Sequence, residues 1–194
     1  MATVLGYEQI HEPDIAFSRE FLARTMQELG MEAGRALDCG AGIGRVTKFL
    51  LEPVFAAIDL VDQSEALLAT ARSFIETPKS LTFAVSGLQE FTPQQTYDCI
   101  WVQWVSSQLT DNDLIAFYIR AKAALGPNGC LFVKENVKKK GFLVHKDDFS
   151  VTRSAILYEL AFQAASLTVR ASAMQPDFPE DIYEVKIWAL QAKA

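Results

Sequence analysis

The run Asp38-Cys39-Gly40-Ala41-Gly42-Ile43-Gly44-Arg45 has residue types and spacing suited to holding a ligand. Glycines at 40, 42 and 44 let the backbone turn tightly and come close to a bound group. The run follows an apolar stretch and opens an amphipathic one, which is the context a nucleotide loop requires. The next apolar stretch ends in Asp62, 22 residues after Gly40. A carboxylate there can accept hydrogen bonds from a ribose diol. Asp59 competes for that role but lies inside the apolar run, and Asp62 also reads as a capping residue for the helix that follows. The loop is G-x-G-x-G preceded by an acid, whereas dinucleotide-binding dehydrogenases space their glycines G-x-G-x-x-G.

The elements that would position these residues alternate. Phe17, Phe21, Leu22, Thr25 and Leu29 recur at helical spacing. RALDCG reads as a first strand, GIGRVTKFLL as a helix and AAIDLVD as a second strand. Ser64 caps a helix that puts Leu67, Leu68, Ala71, Phe74 and Ile75 on one face. LTFAVSG and YDCIWVQWV read as strands three and four. Thr110 or Asp111 caps a further helix through Leu125, Pro127-Asn128-Gly129 makes a turn, and GCLFVKEN is the fifth strand. A helix from about Val151 to Ala165 and two late strands, SLTVRASAM and YEVKIWALQ, complete the pattern. Strand–helix alternation implies βαβ units and a parallel sheet with helices on both faces. The last two strands have only a short connection, so they are expected to pair antiparallel at one edge. The expected fold is a doubly wound, mostly parallel seven-stranded α/β sheet with an antiparallel edge strand. It forms one domain over residues 1–194, with residues 1–30 as an arm and helix contributing to a lid. Ligands of such sheets sit beyond the carboxyl ends of the strands.

Composition narrows the function classes. Half of the 194 residues are apolar and 22% are charged, with a net charge of −6. That balance argues against a nucleic-acid binder relying on a broad basic surface. Cys39, Cys99 and Cys130 each sit in an apolar run and read as buried, reduced thiols. With only His11 and His145 as histidines, no metal site is expected. No run is long enough for a membrane span, and the N-terminal residues lack a signal-peptide pattern. The expected chain is a monomer in the cytoplasm, and also in the nucleus.

The acid-preceded glycine loop, with LVDQSEALLATA after the second strand, resembles the nucleotide loop and second motif of class I S-adenosylmethionine-dependent methyltransferases. A narrower resemblance is to the protein N-terminal methyltransferases that act on X-Pro-Lys and related N-termini. The stretches ALDCGAGIGRVTK, GLQEFTP, YDCIWVQWV, LTD, PNG and PEDIYEV carry it. The resemblance implies S-adenosylmethionine as cofactor, S-adenosylhomocysteine as product, and protein or peptide N-termini as substrate. It implies that Gly40, Gly42, Gly44, Arg45, Asp62, Leu88, Gln89 and Gln103 hold the cofactor. Trp104, Gln108, Ser150 and Tyr7 would face the substrate. Asn136 would orient the amine and Asp148 would take its proton. Trp104 would offer a flat wall and face a cation. Acids at 147, 177, 180 and 181 would attract a basic third residue. Each role has a structural alternative: core for Trp104, a turn for Asn136, a cap or solvated charge for Asp148.

Three departures accompany the resemblance. The family usually has Gly-His where this chain has Ser107-Gln108, so a neutral amide replaces an imidazole. His145 stands where the family often has an acid. The N-terminal arm is shorter, with only LGYEQI left of it. Two other functions therefore stay open: a methyltransferase for a small amine or other metabolite, and a weakly active or inactive cofactor-binding module. A pocket beside Trp104 that opens to the surface suits a peptide terminus, a closed one suits a metabolite, and a filled one suits the inactive module.

Overall fold

The computed structural model describes residues 8–179 and 181–193. Tyr7 and Glu180, both named above, lie outside them. Helix α1 (Glu8–Leu29) comes first. Strands β1 (Arg35–Cys39), β2 (Ala57–Asp62) and β3 (Ser80–Val85) follow, with α2 (Glu65–Phe74) between the last two. Then come β4 (Tyr97–Gln103), α3 (Asp111–Ala123) and β5 (Leu125–Val137). A hairpin of β6 (Phe142–Val144) and β7 (Val151–Arg153) precedes α4 (Ala155–Ala164), β8 (Leu167–Met174) and β9 (Glu184–Ala192).

Seven strands form one sheet in the order β3-β2-β1-β4-β5-β9-β8. The first five are parallel, and β9 runs antiparallel to both β5 and β8. The expected antiparallel pair therefore closes one edge, with β9 placed inside β8. The central strands are apolar on both faces: Ala36, Leu37, Ile100, Trp101, Leu131 and Phe132 are all fully buried. Such runs are what helices on both sides of a parallel sheet require. One face packs Leu114, Phe117, Tyr118, Tyr158 and Phe162 of α3 and α4 around Trp188. The other packs Phe21, Leu22, Leu68 and Ala71 of α1 and α2 against Trp101 and Phe132. The three thiols are free and buried. Among the described residues, no helix is long and apolar enough to cross a membrane, and no cluster of acidic, His or Cys residues could hold a metal ion.

Two expected caps are in place. Ser64 accepts the Leu67 N–H, and Thr110, rather than Asp111, caps α3 by accepting the Asp113 N–H. Four expectations change. Helix α1 starts at Glu8, well before Phe17, because its buried face there carries Asp14 and Ile15. The buried stripe is Asp14/Ile15, Ser18, Phe21/Leu22 and Thr25, and a charged residue within it hides the helical period. The segment after the glycine loop is π-helical over Thr47–Leu51, with the Glu52 N–H bonding Thr47 O. Pro127–Gly129 bulges out of β5: Tyr97 pairs with Leu125, and pairing resumes at Cys99 with Cys130. Residues 151–153 are a strand, not the start of α4. The β-branched Val151 and Thr152 pair with Val144 and Leu143, so the helix begins after Ser154.

Candidate active site

Strand order reverses between β1 and β4, and the crevice beyond their carboxyl ends is where such sheets bind ligands. Gly40 leaves β1 at φ +69°. A Cβ there would lie 2.7 Å from Val105, just past β4, so only glycine lets the two tips meet. Gly44 packs as tightly, its missing Cβ facing Ile75 at 2.5 Å. Gly42 is different. Its φ is +55°, and a Cβ there would meet nothing within 4 Å. Two glycines thus close the packing, and the third leaves open space over the loop. The Gly42 N–H donates to Asp62 Oδ2 at 2.9 Å, and the Ser64 N–H donates to Asp62 Oδ1 at 2.8 Å. Asp62 is half-buried and keeps lone pairs for a further donor. Asp59 is committed elsewhere, accepting from Arg35 at 2.8 Å, Tyr97 OH at 2.7 Å and the Thr82 hydroxyl. The open cradle over Gly42 and the acceptor at Asp62 fit a nucleoside with a ribose diol. Leu88 is buried and Gln89 exposed beyond β3. Arg120 holds their backbone, donating to Leu88 O at 2.8 Å and Gln89 O at 3.0 Å.

Sequence reasoning missed a buried polar network that seats α1 over the strand ends. Lys134 of β5 is fully buried, and its ammonium donates to Asp14 Oδ1, Ser18 Oγ at 2.8 Å and Gln175 Oε1 at 2.7 Å. Burial lowers the Lys134 pKa, and Asp14 opposes that shift. Arg45 Nη1 donates to Asp14 Oδ2 at 2.7 Å. Gln103 Nε2 donates to both Asp14 oxygens, at 2.9 and 3.0 Å, and its Oε1 accepts the Trp101 N–H at 2.9 Å. The polar groups of Gln103, expected at the cofactor, are therefore engaged internally. The only local signal was an isolated Lys in an apolar strand, LFVKEN.

On the far side of Arg45 lies a cavity of about 1000 Å³. Trp104, Gln108, Asn136, Asp148 and Ser150 all line it, as does Arg45. The structure thus brings these expected residues to one pocket. Of the glycine loop only Arg45 reaches it: Gly40, Gly42, Gly44 and Asp62 do not line it. Trp104 has φ +53°, an uncommon conformation for a bulky residue. Such backbone strain concentrates at ligand sites. Its indole lies under the Arg45 guanidinium, 5.4 Å from ring centre to Cζ, and its buried N–H has no partner among the described residues. The mouth carries exposed Glu12, Asp148 and Asp181, so the pocket is neither closed nor filled.

Two further groups shape its walls. Glu135 is buried and accepts the Ser106 N–H at 2.7 Å, anchoring the turn that carries Ser107 and Gln108. Burial raises its pKa to about 7, against the pull of the amides it accepts from. Arg153 grips the other end of that turn, donating to Leu109 O at 2.7 Å and to Asp111 at 2.8 Å. Asp148 is exposed, accepts the Ser150 N–H at 3.0 Å, and has its pKa lowered by bonds from Ser150.

The family model for the AdoMet-dependent proline di-methyltransferases matches residues 2–191. The chain belongs to this family. It is similar to the N-terminal Xaa-Pro-Lys N-methyltransferase 1-B of Xenopus laevis, 40% identical over 96% of this chain and 86% of that protein. It is similar to the α N-terminal protein methyltransferase 1 of Caenorhabditis elegans, 41% identical over 96% of this chain and 81% of that one. A solved SAM-dependent methyltransferase from Leishmania major superposes with a TM-score of 0.90 at 37% identity, covering 96% of this chain and 74% of that chain. The chain is thus an S-adenosylmethionine-dependent methyltransferase.

Proposed function

We propose that the enzyme methylates the free α-amino group of protein N-termini of the X-Pro-Lys or X-Pro-Arg type. The observation that carries this reading is the pocket beside Trp104, which opens to solvent through a rim of carboxylates. An open mouth admits a chain end whose remainder stays outside. Exposed Glu12, Asp148 and Asp181 favour an approaching ammonium group and a basic third residue. The names of the relatives point the same way.

The bound cofactor supplies a sulfonium methyl, the electrophile for a neutral amine. The protein's part is to bring the two into line and to hold them there. Asn136 orients the amine with its side-chain amide. Trp104 offers its face to the terminal residues. Asp148, held low and so ionised across the working range, draws the ammonium to the pocket. Its expected part as base stands beside one as counter-charge, and the kinetics of an Asp148 variant separate the two. The test is mass spectrometry of a panel of X-Pro-Lys peptides incubated with enzyme and S-adenosylmethionine. Methylated N-termini are the expected result. Turnover of small amines with no peptide methylation would favour the metabolite reading, and binding of cofactor without turnover the inactive module.

A further inference from the structure

The β6–β7 hairpin stands at the mouth of the pocket. His145 and Thr152 line that pocket, and Thr152 pairs with Leu143 across the hairpin. The two strands form a sheet of their own, so β6 has a strand on one side only. The bonds already made fix where its remaining backbone groups point. The His145 N–H donates to Ser150 O at 2.8 Å, and the Ser154 N–H donates to Gly141 O at 2.8 Å. Antiparallel pairing alternates, so Gly141, Leu143 and His145 bond inward toward β7. Phe142 and Val144 therefore turn their N–H and C=O groups outward. Among the described residues their one hydrogen-bond partner there is the Lys138 ammonium, 3.4 Å from Phe142 O. The edge is also uncovered: Phe142 is 62% exposed and Val144 52%. An open apolar edge of this kind is a template for a further strand.

We propose that the free edge of β6 receives the substrate protein's own chain beyond its third residue, as a strand running antiparallel to β6. This rests on the N-terminal methyltransferase reading above. Continuity, direction and charge select that occupant. The edge starts at the mouth, where a chain whose end is held inside must emerge. β6 runs from Phe142 to Val144 and on to His145, that is, toward the mouth. A chain inserted amino end first leaves in the opposite sense, which gives antiparallel pairing. The mouth carries Glu12, Asp148 and Asp181, while exposed Lys139 and Lys140 stand at the far end of the edge. A chain that is basic at its third residue and acidic about four or five residues later matches both, at a strand rise of about 3.4 Å per residue. A second copy of this chain fits badly. Pairing two β6 edges antiparallel, with Phe142 against Val144, sets Lys140 opposite Lys146, and like charges facing each other oppose pairing.

The test uses the full chain, S-adenosylmethionine, and X-Pro-Lys peptides of four and of ten residues. The longer peptide should show a kcat/KM about ten-fold higher, mostly through KM, from a few main-chain hydrogen bonds offset by the ordering of the strand. Methylating alternate backbone nitrogens beyond the third residue should abolish that gain in one register and spare it in the other. V144P removes an outward N–H and none of the hairpin's own bonds. It should lose the gain while the four-residue peptide reacts as with wild type. A second readout needs no turnover. The ten-residue peptide, bound to wild type without cofactor, should slow hydrogen exchange at the Phe142 and Val144 amides and leave the already bonded Leu143 amide unchanged. Equal kcat/KM for the two lengths, or no slowing at the two outward amides, would overturn the proposal while leaving the broader reading intact. Slowing that grows with enzyme concentration in the absence of peptide would overturn it in favour of a second copy. If wild type methylates neither peptide, the N-terminal methyltransferase reading fails and this proposal falls with it.

Discussion

The Gly42 N–H donates to the Asp62 carboxylate at 2.9 Å, tying the glycine loop of β1 to the end of β2. The same carboxylate holds the Ser64 N–H that starts α2. Asp62 thus shapes the cradle as well as offering it an acceptor. Its replacement by Ala leaves two backbone donors and the ligand's hydroxyls without their acceptor. Cofactor affinity should fall by about 1–3 kcal/mol, measured by calorimetry with S-adenosylhomocysteine. Unchanged affinity would show that the carboxylate serves the fold alone.

Asp14 and Lys134 form a fully buried ion pair that joins α1 to β5. Asp14→Ala strands the Lys134 ammonium and frees Arg45. The expected cost is about 3 kcal/mol, at the low end for a broken buried pair because Ser18 and Gln175 still accept from Lys134. Chemical denaturation measures it. Lys134→Met should cost less, since Asp14 keeps Arg45 and Gln103 as donors.

These two examples show what the sequence made legible. Asp62, Ser64 and Thr110 act on neighbours a few residues away or on an adjacent strand tip, so spacing alone reveals them. Asp14 and Lys134 lie 120 residues apart and meet only once the sheet is built. In sequence, a buried Asp reads as a surface residue and breaks the apolar period of α1. The β6–β7 hairpin was hidden for a related reason. Val151-Thr152-Arg153 continues into a helical pattern, and only its pairing with Phe142–Val144 makes it a strand. Trp104, Asn136 and Asp148 were identified by resemblance, and their shared pocket depends on that hairpin and the Glu135-anchored turn.

Glu135 gives stability a pH dependence. Its folded pKa is raised by burial from the usual 4.5 to about 7. The folded state therefore binds a proton more tightly than the unfolded state does. This contribution is fully present below about pH 4.5 and is lost as pH rises through about 7. The shift corresponds to about 3 kcal/mol. Glu135→Gln keeps an acceptor for the Ser106 N–H and carries no charge, so its stability should change less between pH 5 and 8 than that of wild type. Denaturant titrations at the two pH values decide this. An equal pH dependence in both proteins would mean that the buried carboxyl is not the source.

Asp148 and His145 share a wall of the pocket, and replacing Asp148 should act on KM more than on kcat. Bonds from Ser150 and the nearby His145 ring keep the Asp148 carboxyl low, so it is ionised throughout any practical assay. Its contribution is then to attract a cation. Asp148→Asn keeps an oxygen for the Ser150 N–H, and the local backbone should persist. Peptide KM should rise up to about five-fold, the modest effect expected of an exposed charge. The rise should be largest at pH 6–7, where the terminal amine is protonated, and should shrink above about pH 9, where that amine is neutral and only the basic third residue stays charged. Added salt should reduce it in the same way, by screening the wild-type attraction. Turnover at saturating peptide should change little. Steady-state kinetics across pH, with peptide and salt varied, decides the point. A large fall in kcat with unchanged KM would instead make Asp148 the group that removes the proton.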